Sequence, residues 1–195
     1  MATEIINERL LYPSYEIIGG EKILAPAANP THGNIIGRLY ARIFNYLEET
    51  QGGCVFVDDV DVYFPDGNLF KPDLCVVLKE HLFIIDWLKG IYGAPDMVVE
   101  VLSKSTLKKD LSVKKDVYEA NGVREYWIIN PWDKSVTVYL LRDGKYFLDD
   151  VYALFDEEDL ALLDDNEKAE VKTEVPVTVL DGLKIPLKFI FKWGY

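Results

Sequence analysis

Two carboxylates set in apolar runs are the residues whose surroundings suggest chemistry. Glu100 lies inside Met97-Val98-Val99-Glu100-Val101-Leu102, an apolar, largely β-branched run of strand length. Such a run reads as an interior strand without a polar face, and a charge inside it loses hydration. A partner, a metal or a raised pKa must compensate. Asp73 stands at the mouth of a similar run, Phe70-Lys71-Pro72-Asp73-Leu74-Cys75-Val76-Val77. Strand side chains alternate, so Val98, Glu100 and Leu102 share a face, as do Asp73, Cys75 and Val77. If the two strands are neighbours, Asp73 and Glu100 converge on one hard cation. Magnesium or manganese needs only one or two carboxylates beside water and phosphate oxygens. The segment directly downstream predicts a helix with lysines on one face. An ammonium within reach would stabilise an attacking hydroxide and the charge gathering on a phosphate, which is the equipment of divalent-metal phosphodiester chemistry.

Each of these residues also has a structural reading. Glu100 could be held by Lys114 in a buried ion pair that only supports the fold. Lys114 falls four residues after Asp110, and on a solvated helix face that pair is worth only about 0.3–0.5 kcal/mol. Tyr118, four residues further on, reads as core, as do Tyr126 and Trp127. Asp96 is a second Pro-Asp acid and an alternative to Asp73, but just before a strand it reads as a turn residue. Glu16 opens an early strand, where an acid is ordinarily solvated, and His32 reads as a surface or capping histidine. Asp58, Asp59 and Asp61 match no calcium loop and point to alternate faces, so a solvated edge is expected.

The elements that must position these groups follow from periodicity. Tyr15-Glu16-Ile17-Ile18 and Lys22-Ile23-Leu24 around Gly19-Gly20 predict a hairpin. After Thr31, read as the N-cap, Ile35, Ile36, Leu39, Ile43 and Leu47 recur at helical spacing up to Gln51-Gly52-Gly53. Cys54 to Phe64 is strand-like, and residues 78–94 read as a short helix or an apolar loop. A helix between the break at Ser103–Thr106 and Asn121-Gly122 follows the Glu100 strand. Residues 125–129 and 136–140 read as strands, Asp143-Gly144 as a hairpin turn, Val175 to Val179 as a short edge strand, and 181–186 as a turn. Strands 70–77, 97–102 and 124–129 with helices beside them predict a mixed α/β (α+β) sheet. With no repeat and no long linker, one domain over residues 1–195 is expected.

Composition limits the function. Nearly half the 195 residues are hydrophobic, which excludes disorder, and the longest apolar runs are too short to span a membrane. The start, MATEIINERLLYPSYE, lacks the basic and apolar regions of a secretory signal. Cys54 and Cys75 lie in strand-like runs, so free thiols in a reducing cytoplasm are expected. Zinc spacing is lacking, and so is a nucleophile motif of the G-x-S-x-G or Cys/His kind. The net charge of −12 opposes nucleic-acid binding, yet residues 149–170 alone carry ten acids and one lysine, or −9, leaving −3 for the rest.

The order Glu16, His32, Pro72-Asp73, PDMVVEVLSKST, Asp110-x-x-x-Lys114-x-x-x-Tyr118 and GVREYWIINP resembles the Uma family. Those proteins have the restriction-endonuclease-like PD-(D/E)XK fold, and the resemblance runs from about Tyr15 to Phe191. It implies a nuclease site in which Asp73 and Glu100 hold Mg2+ or Mn2+, with DNA as substrate. The usual lysine position of the E-x-K element is Leu102 here. The resemblance instead places the catalytic ammonium at Lys114 and an additional metal acid at Glu16, with Tyr118 beside them. Lys104, where relatives tend to carry proline, shares strand parity with Glu100 and competes for the lysine role. The competing expectation is a non-enzymatic module that keeps the fold as a protein-binding or regulatory scaffold, favoured by the acidity and the absent E-x-K lysine. Leu82, Phe83, Ile84, Ile85, Trp87, Ile91 and Tyr92 imply either a covered sheet or an interface, and a homodimer is expected.

Overall fold

The computed structural model describes residues 14–24, 29–57, 60–103 and 109–192, the side chains of 109–111 excepted. Lys104, the Ser103–Thr106 break beyond Ser103, Asp58, Asp59 and the side chain of Asp110 lie outside the described residues.

In chain order the elements are β1 (Tyr15–Ile18), β2 (Glu21–Leu24), α1 (Pro30–Thr50), β3 (Gly53–Val57), β4 (Val62–Tyr63), β5 (Leu69–Phe70) and β6 (Leu74–Leu78). A 3-10 turn (Lys79–Ile84) precedes β7 (Ile85–Asp86), β8 (Gly90–Tyr92) and β9 (Met97–Val101). A π-helical stretch (Lys109–Lys114) runs into α2 (Lys115–Asn121), followed by β10 (Glu125–Asn130), β11 (Ser135–Arg142) and β12 (Lys145–Ala153). Then come α3 (Glu157–Ala161), α4 (Asp165–Glu170), β13 (Glu174–Pro176), β14 (Lys184–Pro186) and α5 (Leu187–Ile190).

One mixed sheet has the order β12-β11-β10-β9-β6-β3. Its inner strands β6, β9 and β10 are buried on both faces, which explains their unbroken apolar sequences. On one side, α1 and the C-terminal segment pack over Val76, Val99, Trp127 and Ile129. On the other, Cys75, Val98, Tyr126 and Ile128 meet Tyr118 of α2 and Phe70 of the second sheet. That second sheet runs β2-β1-β5-β4-β8-β7. Within it, the β1–β2 hairpin meets β5 at the register pair Ile17–Leu69.

Helix α1 forms where the 3.6-residue period predicts it, with Ile35, Ile36, Leu39, Ile43 and Leu47 buried along one face. Its N-cap is Asn29 rather than Thr31. The Asn29 side chain accepts from the His32 amide at 3.0 Å, and Pro30 occupies the first turn, where its missing N–H costs nothing. The helix ends at Gln51 in a left-handed conformation.

The fold departs from the sequence expectations in several places. Residues 79–92 form the 3-10 turn and the β7–β8 hairpin rather than one helix or loop. Ile91 is buried and Leu82, Ile84 and Ile85 pack against the core, while Phe83 (82% exposed), Trp87 and Leu88 face outward. Residues 184–186 are a strand paired with β13, not part of a turn. The acidic stretch is folded into regular elements. Its strand β12 pairs with β11, and α3 and α4 each begin with a capping box, at Asp156/Asp159 and Asp164/Glu167. Among the described residues no helix is long and apolar enough to cross a membrane.

Candidate functional site

Strands β6 and β9 are antiparallel neighbours, with Leu74 opposite Val99 and Cys75 opposite Val98. Continued by one residue, this register sets Asp73 across from Glu100 at the mouth of the sheet. Asp73 Oδ2 accepts the amide of Val101 at 2.6 Å, so its carboxylate replaces the strand partner that β6 no longer supplies there. Asp73 is thus tied to the residue that follows Glu100, although 28 positions separate it from Val101 in the chain.

Glu100 is 3% exposed, on the face of β9 turned toward α2. Its Oε1 accepts the Lys114 ammonium at 2.9 Å and the Tyr118 hydroxyl at 2.7 Å. Lys114 in turn lies 2.9 Å from Glu16 Oε1, and the same Glu16 oxygen accepts the Lys71 amide at 3.1 Å. Lys114 is 4% exposed, and its charge also sits 5.7 Å from the Phe70 ring centroid. The solvated-face reading of Lys114 is therefore overturned, as is that of Glu16, since both are buried and paired. Lys114 closes the π-helical stretch immediately before α2, and Tyr118 follows one α-helical turn later, so both reach the same carboxylate oxygen.

Burial and then the Glu100 charge push the Tyr118 phenol well above its ordinary range, so it acts as a hydrogen-bond donor. Tyr118 is both core, edge-on to Phe70 and Phe64, and a polar member of the site. The same two causes raise the Cys75 thiol to about 12, which leaves it inert.

His32, read from the sequence as a surface or capping histidine, lies against Asp73. Its Nε2 lies 3.2 Å from Asp73 Oδ1, delivered by the first turn of α1. A histidine at a helix start carries no local signal for such a contact; only the fold brings it to Asp73.

The other acids have structural duties. Asp96 is buried and accepts from the Leu78 amide at 2.8 Å, His81 Nδ1 at 2.9 Å and Arg124 Nη1 at 3.2 Å, which fixes the start of β9. It is an anchor rather than a surface turn residue. Asp61 pairs with Lys71 at 3.1 Å and accepts from the Tyr63 hydroxyl at 3.0 Å, so it is not a solvated acid. Glu125, fully buried, accepts from Trp127 Nε1 at 2.7 Å and from the Val179 amide at 2.8 Å.

Among the described residues no three histidine, cysteine or acidic side chains form a ready-made metal cage. The donor chemistry nevertheless suits a hard divalent ion. Asp73, Glu100 and Glu16 supply carboxylate oxygens, and an ion that keeps several waters needs no complete protein cage.

This architecture matches that of known proteins. Residues 8–170 match the Uma2 family, whose description is "Putative restriction endonuclease". The chain is a member of the Uma2 family. This Uma2-family fold is also similar to a solved structure described as "a putative nuclease belonging to DUF820 from Anabaena variabilis ATCC 29413". The two superpose with a TM-score of 0.70 at 20% identity, covering 92% of this chain and 90% of that one. No curated protein matches this Uma2-family chain.

Proposed function

We propose that this protein is a nuclease that hydrolyses phosphodiester bonds in DNA, acting as one domain, with Asp73 and Glu100 holding Mg2+ or Mn2+. The observation that carries this reading is the position of Lys114. Its ammonium is 2.9 Å from both Glu100 and Glu16, beside an Asp73 bonded to the amide next to Glu100. The lysine absent at Leu102 is thereby replaced from the following helix. A bound divalent ion would supply a hydroxide near neutral pH and neutralise charge on the phosphate. Lys114 then provides positive charge where the phosphate oxygens become more negative, and Tyr118 holds the Glu100 carboxylate in place. Glu16 holds the ammonium from the other side and adds a further acid to the set. The family description supports the same reading.

Incubation of the purified protein with supercoiled plasmid and Mn2+, beside an Asp73→Ala control, tests it. Nicking by the wild type alone is expected; equal nicking by both removes the assignment.

A second reading, a non-enzymatic scaffold, draws on the burial of the same residues. Glu100 and Lys114 at 3% and 4% exposure also form a pin between β9 and the helix, in a chain of net charge −12. It predicts no rise in melting temperature with Mg2+ or Mn2+. Self-association as a homodimer is part of either reading, supported by the outward-facing Phe83, Trp87 and Leu88. Light scattering behind size exclusion measures it. The free thiols of Cys54 and Cys75 fit a cytoplasmic setting.

A further inference from the structure

We infer that His32 binds the site's cation directly, together with Asp73, and that the site consequently prefers an ion that accepts imidazole nitrogen, such as Mn2+, to Mg2+. The inference rests on the cation-dependent reading above and extends it to a ligand that the paired-acid pattern does not contain.

Three observations carry it. His32 presents Nε2 to Asp73 Oδ1 at 3.2 Å. Two adjacent ligands of one small octahedral ion, each bonded at about 2.1 Å, stand roughly 3 Å apart, so this pair is already at ligand spacing. Second, the Asp73 carboxylate is oriented for the task. Its Oδ2 is occupied by the Val101 amide at 2.6 Å, so Oδ1 is the oxygen turned to the imidazole. Third, the two side chains are the more accessible part of the cluster. His32 and Asp73 are 12% and 19% exposed, whereas Lys114 and Glu100 are 5% and 3%. An ion arriving from solvent therefore meets the Asp73–His32 edge before the sealed Glu100–Lys114 pair. The His32 backbone is fixed as well, because its amide bonds the Asn29 cap at the Pro30 turn, so the ring is presented from a rigid helix start.

The alternative is a charged hydrogen bond in which His32 only orients Asp73. The two differ in ion preference. Carboxylates serve Mg2+ and Mn2+ about equally, whereas an imidazole nitrogen favours the transition ion.

The test uses metal-free protein. Calorimetric titration with Mn2+ and with Mg2+ should show the tighter binding for Mn2+. Electron spin-echo modulation of the Mn2+ complex should show coupling to an imidazole 14N nucleus. In His32→Ala, and in His32→Gln, which retains a donor toward Asp73, that coupling should vanish. In both variants Mn2+ affinity should fall at least about tenfold and Mg2+ affinity should change little. Melting curves select the folded variant. Absence of 14N coupling in the wild type, or equal weakening of both ions in the variants, overturns the inference. If Mn2+ binding then still requires Asp73, the nuclease reading survives without it. If the wild type binds neither ion, both fall.

Discussion

The Tyr118 hydroxyl and the Lys114 ammonium meet on one atom, Glu100 Oε1, at 2.7 and 2.9 Å. A buried carboxylate oxygen that takes a neutral and a charged donor together is held in one direction, and the two donors stand one helical turn apart. The pair is therefore separable by mutation.

Tyr118→Phe deletes one donor and keeps the ring edge-on to Phe64 and Phe70 in the core. A hydrogen bond to a charged acceptor contributes about 1.5–3 kcal/mol, so urea unfolding should show a loss of about 2 kcal/mol. Mn2+ affinity, measured by calorimetry, should stay close to that of the wild type, while plasmid nicking slows as Glu100 gains freedom.

Lys114→Met leaves Glu100 and Glu16 buried without their shared cation. Breaking a buried pair in this way costs about 3–5 kcal/mol. Adding Glu16→Gln removes one of the stranded charges and should recover part of that loss. Denaturation of the single and double variants at pH 7 checks this, and equal stabilities would show that the stranded Glu16 charge costs nothing once Lys114 is gone. Neither variant should nick plasmid.

Glu125 sets a pH dependence of its own. Burial raises its carboxyl to about 6, against the pull of the Trp127, Val179 and Thr178 donors. The folded state then holds the proton more tightly than the unfolded chain. The stabilisation is full below the unfolded value near 4.5 and is lost as pH rises through 6. Its size is about 2 kcal/mol. Unfolding free energies between pH 4.5 and 7, wild type minus Glu125→Gln, should trace that slope; a flat difference would show that the group does not titrate there.

Asp96→Ala distinguishes an anchoring acid from a site acid. It leaves the buried Leu78 amide without its partner and releases His81 and Arg124. A loss of about 3 kcal/mol is expected from the orphaned amide, the broken Arg124 ion pair and the lost His81 hydrogen bond together. Cation affinity should be unaltered, in contrast to Asp73→Ala, which should abolish it.

The sequence was most legible where one period ran uninterrupted. The stripe Ile35 to Leu47 in α1, the apolar runs of β6, β9 and β10, and the Asp143-Gly144 turn stand where their patterns predict. Legibility failed where neighbours decide conformation. Residues 79–92 have an apolar composition that suits either helix or strand, and their hairpin forms by pairing β8 with β4 across the chain. Strand β12 extends through Asp149 and Asp150 because β11 pairs it on both sides of a bulge at Asp149, not because its own residues favour extension. The helices α3 and α4 did carry a local sign, an acid at the cap and another three residues on, hidden among surrounding acids. At the site, residue type and spacing pointed to Asp73 and Glu100. The sequence suggested Lys114 as a partner of Glu100, as found, whereas Glu16 and His32 arrive from the N-terminal hairpin and α1, and no local pattern encodes those meetings.

Among the described residues, the ties of hairpin β1–β2 to the rest of the molecule include the Ile17–Leu69 pair, the Gly19 amide on Asn68, Ile18 against the core, and Glu16 with its two donors. One of those donors is Lys114. On the proposed function, drawing this ammonium toward a phosphate would release one tie of hairpin β1–β2, so amide deuteration along residues 15–24 should rise when the centre is engaged.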